Sequence, residues 1–196
     1  TCRRVAARRL RWIGTAQVDL DASPRIRAAM GDDEAGDAGL VRVLDMTDRS
    51  TCVLFGDGAG AVVLRPSEHP GVLGSVLGAD GSAAEILIIP AGGTLHPASP
   101  ETVAAHEHAI RMPAGREVFK RAVVQMSNAC RELLDKAGYG PDDVDLLIPH
   151  QANIRIIEAV AKGLDLPMDR MYVNLDRYGN TSAASVPIAL AEAVNE

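Results

Sequence analysis

Aromatic side chains are scarce in this 196-residue chain, which carries two Phe, three Tyr and one Trp, so its core has to be assembled from Val, Ile, Leu and Ala. Cysteine is scarce too. Cys2, Cys52 and Cys130 lack the paired spacing that marks a disulfide framework or a zinc site, and reduced thiols are expected. No apolar run approaches the roughly 20 residues that cross a bilayer, and the first residues lack the apolar centre of a signal peptide. No membrane partner is therefore expected, and the expected location is cytoplasmic. Positive charge is outweighed, with 20 Lys and Arg against 26 Asp and Glu and a formal net charge of −6, which argues against a nucleic-acid partner. What remains is long enough for one domain with a sizeable core, in the composition of an ordinary α/β protein.

Residues 1–40 differ from the rest. Arg3, Arg4, Arg8, Arg9, Arg11, Arg25 and Arg27 crowd the start, and Asp32, Asp33, Glu34 and Asp37 follow without a long apolar period. Arg8, Arg9 and Arg11 beside Leu10, Trp12 and Ile13 admit a short basic amphipathic helix, but composition favours an irregular tail. The division expected is an irregular segment over 1–40 and a domain over 41–196.

From Val41 onward the pattern becomes regular. Residues 51–55 and 61–64 are apolar and β-branched, with Gly56-Asp57-Gly58-Ala59-Gly60 between them, which predicts a hairpin. A glycine-rich turn that cradles phosphate leads into a helix, whereas here a strand is expected next, so these glycines are read as serving backbone conformation. Residues 71–77 and 84–89 add two further strand expectations. Residues 90–108 form a loop with His96, His106 and His108; the last two are too close for a helical i, i+4 metal pair, no carboxylate pattern completes a site, and no metal is expected. Cys52 falls inside the first expected strand and Cys130 inside an apolar helical stripe, so both are read as core residues rather than nucleophiles.

The clearest helical period covers residues 115–138, where Phe119, Ala122, Val123, Met126, Ala129, Cys130, Leu133 and Leu134 recur at three- and four-residue steps. Two corners follow. Leu146-Leu147-Ile148 empties into Pro149-His150-Gln151-Ala152-Asn153 ahead of a helix starting near Ala152. Met171-Tyr172-Val173 empties into Tyr178-Gly179-Asn180-Thr181-Ser182 ahead of a helix from Ala183, with Thr181 or Ser182 placed to cap it. In open α/β sheets ligands sit outside the carboxyl ends of strands. Alone, a His at such a corner is as a rule structural. A second corner bearing Asn180 supplies a companion, and two neutral N–H donors aimed at one point stabilise a carbonyl oxygen that gains negative charge.

Three motifs in order, Phe-Gly-Asp-Gly-Ala-Gly at 55–60, Pro-His-Gln-Ala-Asn at 149–153 and Gly-Asn-Thr-Ser-Ala-Ala-Ser at 179–185, resemble β-ketoacyl-[acyl-carrier-protein] synthase III of bacterial type II fatty-acid synthesis, and Gly115-Arg116-Glu117-Val118-Phe119 also fits. The resemblance runs from about Leu44 to Glu196. It implies an α/β, thiolase-like fold, a mixed sheet packed with helices, of which this would be the carboxyl-terminal half-domain of an α-β-α-β-α layered fold, clipped at both ends. It also implies an acyltransferase that condenses an acyl-CoA primer with malonyl-carrier protein, without a cofactor, as a homodimer. Matched residue by residue, His150 and Asn180 would support decarboxylation and condensation. Arg49 would pack on the coenzyme A adenine, while Gly115, Phe119 and Asn153 would line the pantetheine channel, and Arg155 would contact the carrier protein. The family's Cys nucleophile has no counterpart in residues 1–40, and neither Cys2 nor Cys52 replaces it. Two alternatives stand beside the enzyme, a pantetheine- and carrier-protein-binding half-domain without chemistry and a relative in secondary metabolism. The Arg-rich opening is either a genuine segment or a misread one.

Overall fold

The computed structural model describes the main chain of residues 12–14 and residues 39–62, 68 and 71–195 in full. Its centre is β2 (Leu146–Ile148). Three apolar residues in a row suit a strand covered on both faces, and the pleat sends alternate side chains opposite ways. Leu147 joins the cluster of Ile156, Ile157, Val160, Ala161 and Leu164 from α3 (Ile154–Gly163) with Cys130 and Leu134 from α2 (Gly115–Ala137). Ile148, with Leu146, packs against Val186, Ala189 and Leu190 of α5 (Ser185–Asn195). A strand is thus held between an α2–α3 layer and α5. Leu147, Ile157 and Val160 are wholly removed from solvent, each contributing about 1.5–3 kcal/mol on burial.

β2 has a parallel neighbour on each side. β1 (Trp12–Gly14) pairs with it in the register Ile13↔Leu147, and on the other edge Met171 bridges to Leu147 while the Tyr172 N–H donates to the Leu147 carbonyl at 2.9 Å. Antiparallel pairing occurs as well, between Ile88 and Arg111. β1 therefore replaces the short basic helix at Trp12 and Ile13; Arg8, Arg9 and Arg11 of that reading lie outside the described residues. Among the described residues no helix is long and apolar enough to cross a membrane.

The amphipathic period of α2 ends at Gly138, whose φ of +72° lets its own N–H and that of Tyr139 return to the Leu134 and Asp135 carbonyls. α3 begins two residues later than expected. Asn153 caps it by accepting the Arg155 N–H on its side chain at 2.9 Å.

Several expected strands are absent. Residues 51–54 form turns, and only Phe55 makes a strand-like bridge. Asp48 is the cause: its carboxylate accepts from the Ser50 N–H, the Ser50 hydroxyl and the Thr51 hydroxyl, and its carbonyl accepts the Thr51 and Cys52 N–H groups. Such local bonds compete with a sheet ladder. Residues 63 and 64 of the second expected strand lie outside the described residues, and Ala61 and Val62 are in no element. Residues 72–80 are also irregular, and Gly81–Ile86 is a 3-10 turn capped by the Asp80 carboxylate instead of a strand. The 90–108 loop contains a short helix, α1 (Pro100–Ala104), set by a reciprocal Ser99–Thr102 capping box.

Candidate functional site

His150 leaves the carboxyl end of β2 and is held by the start of α5, its Nδ1 lying 2.6 Å from the Ser185 hydroxyl. The next residue, Gln151, is almost fully buried and staples the two strand ends together. Its amide Nε2 donates to the carbonyls of Pro149 and Tyr172, its Oε1 accepts the Asn174 N–H, and its own N–H donates to Ser185 Oγ. Burial lowers the pKa of His150 below the ordinary 6.5, because burial strips an imidazolium of hydration and so disfavours the charged form. His150 is therefore neutral at pH 7.

The second corner is reached through a short helix that the sequence pattern did not suggest, α4 (Leu175–Tyr178). Gly179 follows with φ +67°, a conformation glycine enters without strain. Asn180 is fixed twice. Its main chain pairs with the glycine-rich stretch, the Gly56 N–H donating to the Asn180 carbonyl at 2.9 Å and the Asn180 N–H to the Leu54 carbonyl at 3.1 Å. Its side-chain Oδ1 accepts the Ser182 N–H at 2.9 Å. That bond settles which end of the amide is the acceptor and leaves Nδ2 as a donor without a partner among the described residues.

The glycines at 56, 58 and 60 serve close approach and not a hairpin turn. A Cβ on Gly56 would stand 2.3 Å from the Tyr178 carbonyl oxygen, one on Gly58 2.9 Å from Thr181, and one on Gly60 2.5 Å from Pro187. None of the three has positive φ, so the turn expectation is corrected on both counts. The cap expectation is corrected too: neither Thr181 nor Ser182 caps α5, which is preceded by a 3-10 turn, and the buried Thr181 hydroxyl has no partner among the described residues. α5 is instead locked by Glu192, whose carboxylate accepts from the Tyr178 hydroxyl, Asn174 Nδ2 and Arg177 Nη2 at 2.6–2.7 Å. The Tyr178 hydroxyl foremost, and the Asn174 amide after it, hold that carboxyl below its ordinary pKa. Gln151, Ser185 and Glu192 are the residues that sequence reasoning missed as organisers of the site. The first two stand inside the quoted motifs, but nothing local marks their partners.

The other expected residues lie on several elements. Arg49 is exposed in the turn whose Asp48 and Ser50 line a cleft of about 650 Å³, and Met112 and Pro113, just ahead of Gly115, line its other wall. Phe119 is partly buried against the α2–α3 core. Asn153 and Arg155 mark the start of α3, and Arg155 is exposed. His96 and His106 are on the surface, paired with Glu107 and Asp45. Among the described residues no three His, Cys, Asp or Glu side chains gather to hold a metal. Cys130 is buried, which pushes its thiol up to about 11. Cys52 is partly exposed in the 51–54 turn and not on a strand face, and Cys2 lies outside the described residues.

Comparison with known proteins accords with this architecture. Residues 35–81 match the family described as 3-Oxoacyl-[acyl-carrier-protein (ACP)] synthase III, and residues 134–196 match its C-terminal family. The chain is 56% identical over 154 residues to the beta-ketoacyl-[acyl-carrier-protein] synthase III of Roseiflexus sp. (strain RS-1), covering 78% of this chain and 46% of that protein. Among solved structures it resembles 3-oxoacyl-[acyl-carrier-protein] synthase III from Aquifex aeolicus VF5, with a TM-score of 0.68 and 50% identity over 80% of this chain and 46% of that one. The Pseudomonas aeruginosa PAO1 counterpart gives 0.69 and 44% over the same shares. The fold is accordingly the thiolase-like α/β type, and the chain spans under half the length of the relatives it matches.

Proposed function

Because the chain belongs to the 3-oxoacyl-[acyl-carrier-protein] synthase III family, we propose that its two corners serve the decarboxylative condensation of an acyl-CoA primer with malonyl-acyl carrier protein, the step that initiates fatty-acid biosynthesis. His150 and Asn180 donate N–H groups to the malonyl thioester oxygen. When carbon dioxide leaves, the electron pair of the broken C–C bond delocalises onto that oxygen, and two fixed neutral donors stabilise the enolate. The enolate carbon then attacks the primer thioester and expels a thiolate. The observation that carries this reading is the bond from Ser182 to Asn180 Oδ1, which leaves the amide's N–H₂ end for a ligand.

Around this centre, Gly115, Phe119 and Asn153 line the pantetheine path and Arg49 meets the adenine beside the 650 Å³ cleft. We place the working form as a homodimer and its location in the cytoplasm. No metal or organic cofactor takes part. The test is to assay the product of the whole reading frame with acetyl-CoA and malonyl-carrier protein. Carbon dioxide release with 3-oxoacyl-carrier protein is the expected result; carrier-protein binding without either product would favour the non-catalytic binding module.

That second reading has its own support in the thiols. With the Cys130 thiol at about 11, about one molecule in 10⁴ carries the thiolate at pH 7, and Cys52 sits in a turn where a helix start would be needed. The 196-residue chain incubated with acetyl-CoA is therefore expected to form no acyl-protein by mass spectrometry. A stoichiometric adduct on either Cys would show that the nucleophile lies here after all.

Arg155 on the first turn of α3 faces solvent, where a cation steers an acidic carrier protein. Arg155→Glu is expected to weaken carrier-protein binding on the order of tenfold at low salt and to leave coenzyme A binding unchanged. Equal carrier-protein affinity for the two forms, measured by titration calorimetry, would remove Arg155 from the docking surface.

A further inference from the structure

We infer that Ser185 is a positioning residue that fixes the proton of His150 on Nε2, and this assignment rests on the reading of His150 as an N–H donor. The argument is one of counting hydrogens. Ser185 is 2% exposed, so its hydroxyl has no access to bulk water, and its partners among the described residues are two: the Gln151 N–H at 3.2 Å and His150 Nδ1 at 2.6 Å. A backbone N–H only donates, so Ser185 Oγ accepts from Gln151. The hydroxyl's own hydrogen then has one acceptor within reach, Nδ1. Were Nδ1 protonated, Oγ would face two incoming hydrogens and its own O–H would be buried without an acceptor, a costly arrangement. The neutral ring therefore takes the Nε2–H form, with Nε2 directed away from the Ser185 side.

Gln151 makes this arrangement rigid. Its side chain is itself tied to Pro149, Tyr172 and Asn174, so the main-chain N–H that orients the Ser185 hydroxyl cannot drift. The same serine opens α5, the helix that Glu192 locks to the Asn180 corner. One hydroxyl thus sets the donor of the first corner from the element that carries the second.

The experiment reads the ring nitrogens directly, by long-range proton–nitrogen correlation on the ¹⁵N-histidine-labelled chain, with His150→Ala assigning the resonance. The parent is expected to show Nδ1 as a bare, pyridine-like nitrogen and Nε2 as the protonated one. Ser185→Ala should raise the Nδ1–H to Nε2–H ratio at least fivefold, about 1 kcal/mol, and Ser185→Thr, which keeps the hydroxyl, should restore the parent ratio. An Nδ1–H ring in the parent would overturn the assignment, as would an unchanged ratio in Ser185→Ala. Should Ser185→Ala fail to fold, the parent and Ser185→Thr spectra decide alone. No turnover is required, so a protein with Nε2–H in place that released no carbon dioxide would sink the proposed function and leave the role of Ser185 standing.

Discussion

His150→Ala and Asn180→Ala are each expected to slow decarboxylation of malonyl-carrier protein by about 10²–10³-fold in the active synthase, the usual loss when one donor to a developing oxyanion is removed. Acyl transfer from coenzyme A should fall far less, because no malonyl enolate forms in that half-reaction. The two losses should also fail to add: once one donor is gone the enolate is poorly held, and removing the second costs less than the first. The parent's pH profile carries the same signature. Burial lowers the pKa of His150 below the ordinary 6.5, so the neutral donor persists down through that value, and the rate should stay level to about pH 6.5 and decline only below it. Decarboxylation at the parent rate in both variants would remove these residues from the chemistry. A decline beginning well above pH 6.5 would contradict a neutral His150.

Gly56→Ala should be among the most destabilising single-methyl changes in the protein. The new Cβ would lie 2.3 Å from the Tyr178 carbonyl oxygen, and main-chain bonds between Gly56, Leu54 and Asn180 leave neither strand segment room to retreat. Overpacking of this kind costs about 1–3 kcal/mol and occasionally more, and here the clash is with a carbonyl and not with a side chain that can turn away. We expect about 3 kcal/mol in urea denaturation, together with a displaced Asn180. Gly78→Ala is the control, since a Cβ there meets nothing within 4 Å, and it should change stability by no more than about 0.5 kcal/mol. Equal midpoints for the two variants would mean that the close approach at residue 56 does not hold the corner.

The parts legible in the sequence were those written in short-range periods. β2, α2 and α3 follow from runs and repeats of apolar residues, and both corners fall where those runs end. Where side chains bond to their own main chain, periodicity misled: Asp48 draws the β-branched and apolar residues 51–54 into turns, and Asp80 caps a 3-10 turn that takes in residues 84–86 of the strand expected over 84–89. The glycines at 56, 58 and 60 were misjudged for another reason. Their requirement lies in a surface supplied by residues 178–187, and no local rule sees it. The same holds for Gln151, Ser185 and Glu192, whose importance depends on partners from other elements. His150 and Asn180 could be singled out from their corners, but what holds each in place could not.

The pairing of Phe55 with Asn180 also bears on how the molecule assembles. It closes a loop that contains α2, β2 and α3, and the entropy of such closure is lost before any contact returns it. The α2–β2–α3 unit, built from neighbours in sequence, can collapse early, whereas the Asn180 corner must wait for two distant ends of the chain to meet. During synthesis residues 55–60 leave the ribosome long before their partner exists. The segment that positions Asn180 is then among the last parts of the protein to find its native place, and any variant that slows that meeting delays completion of this corner without altering Asn180 itself.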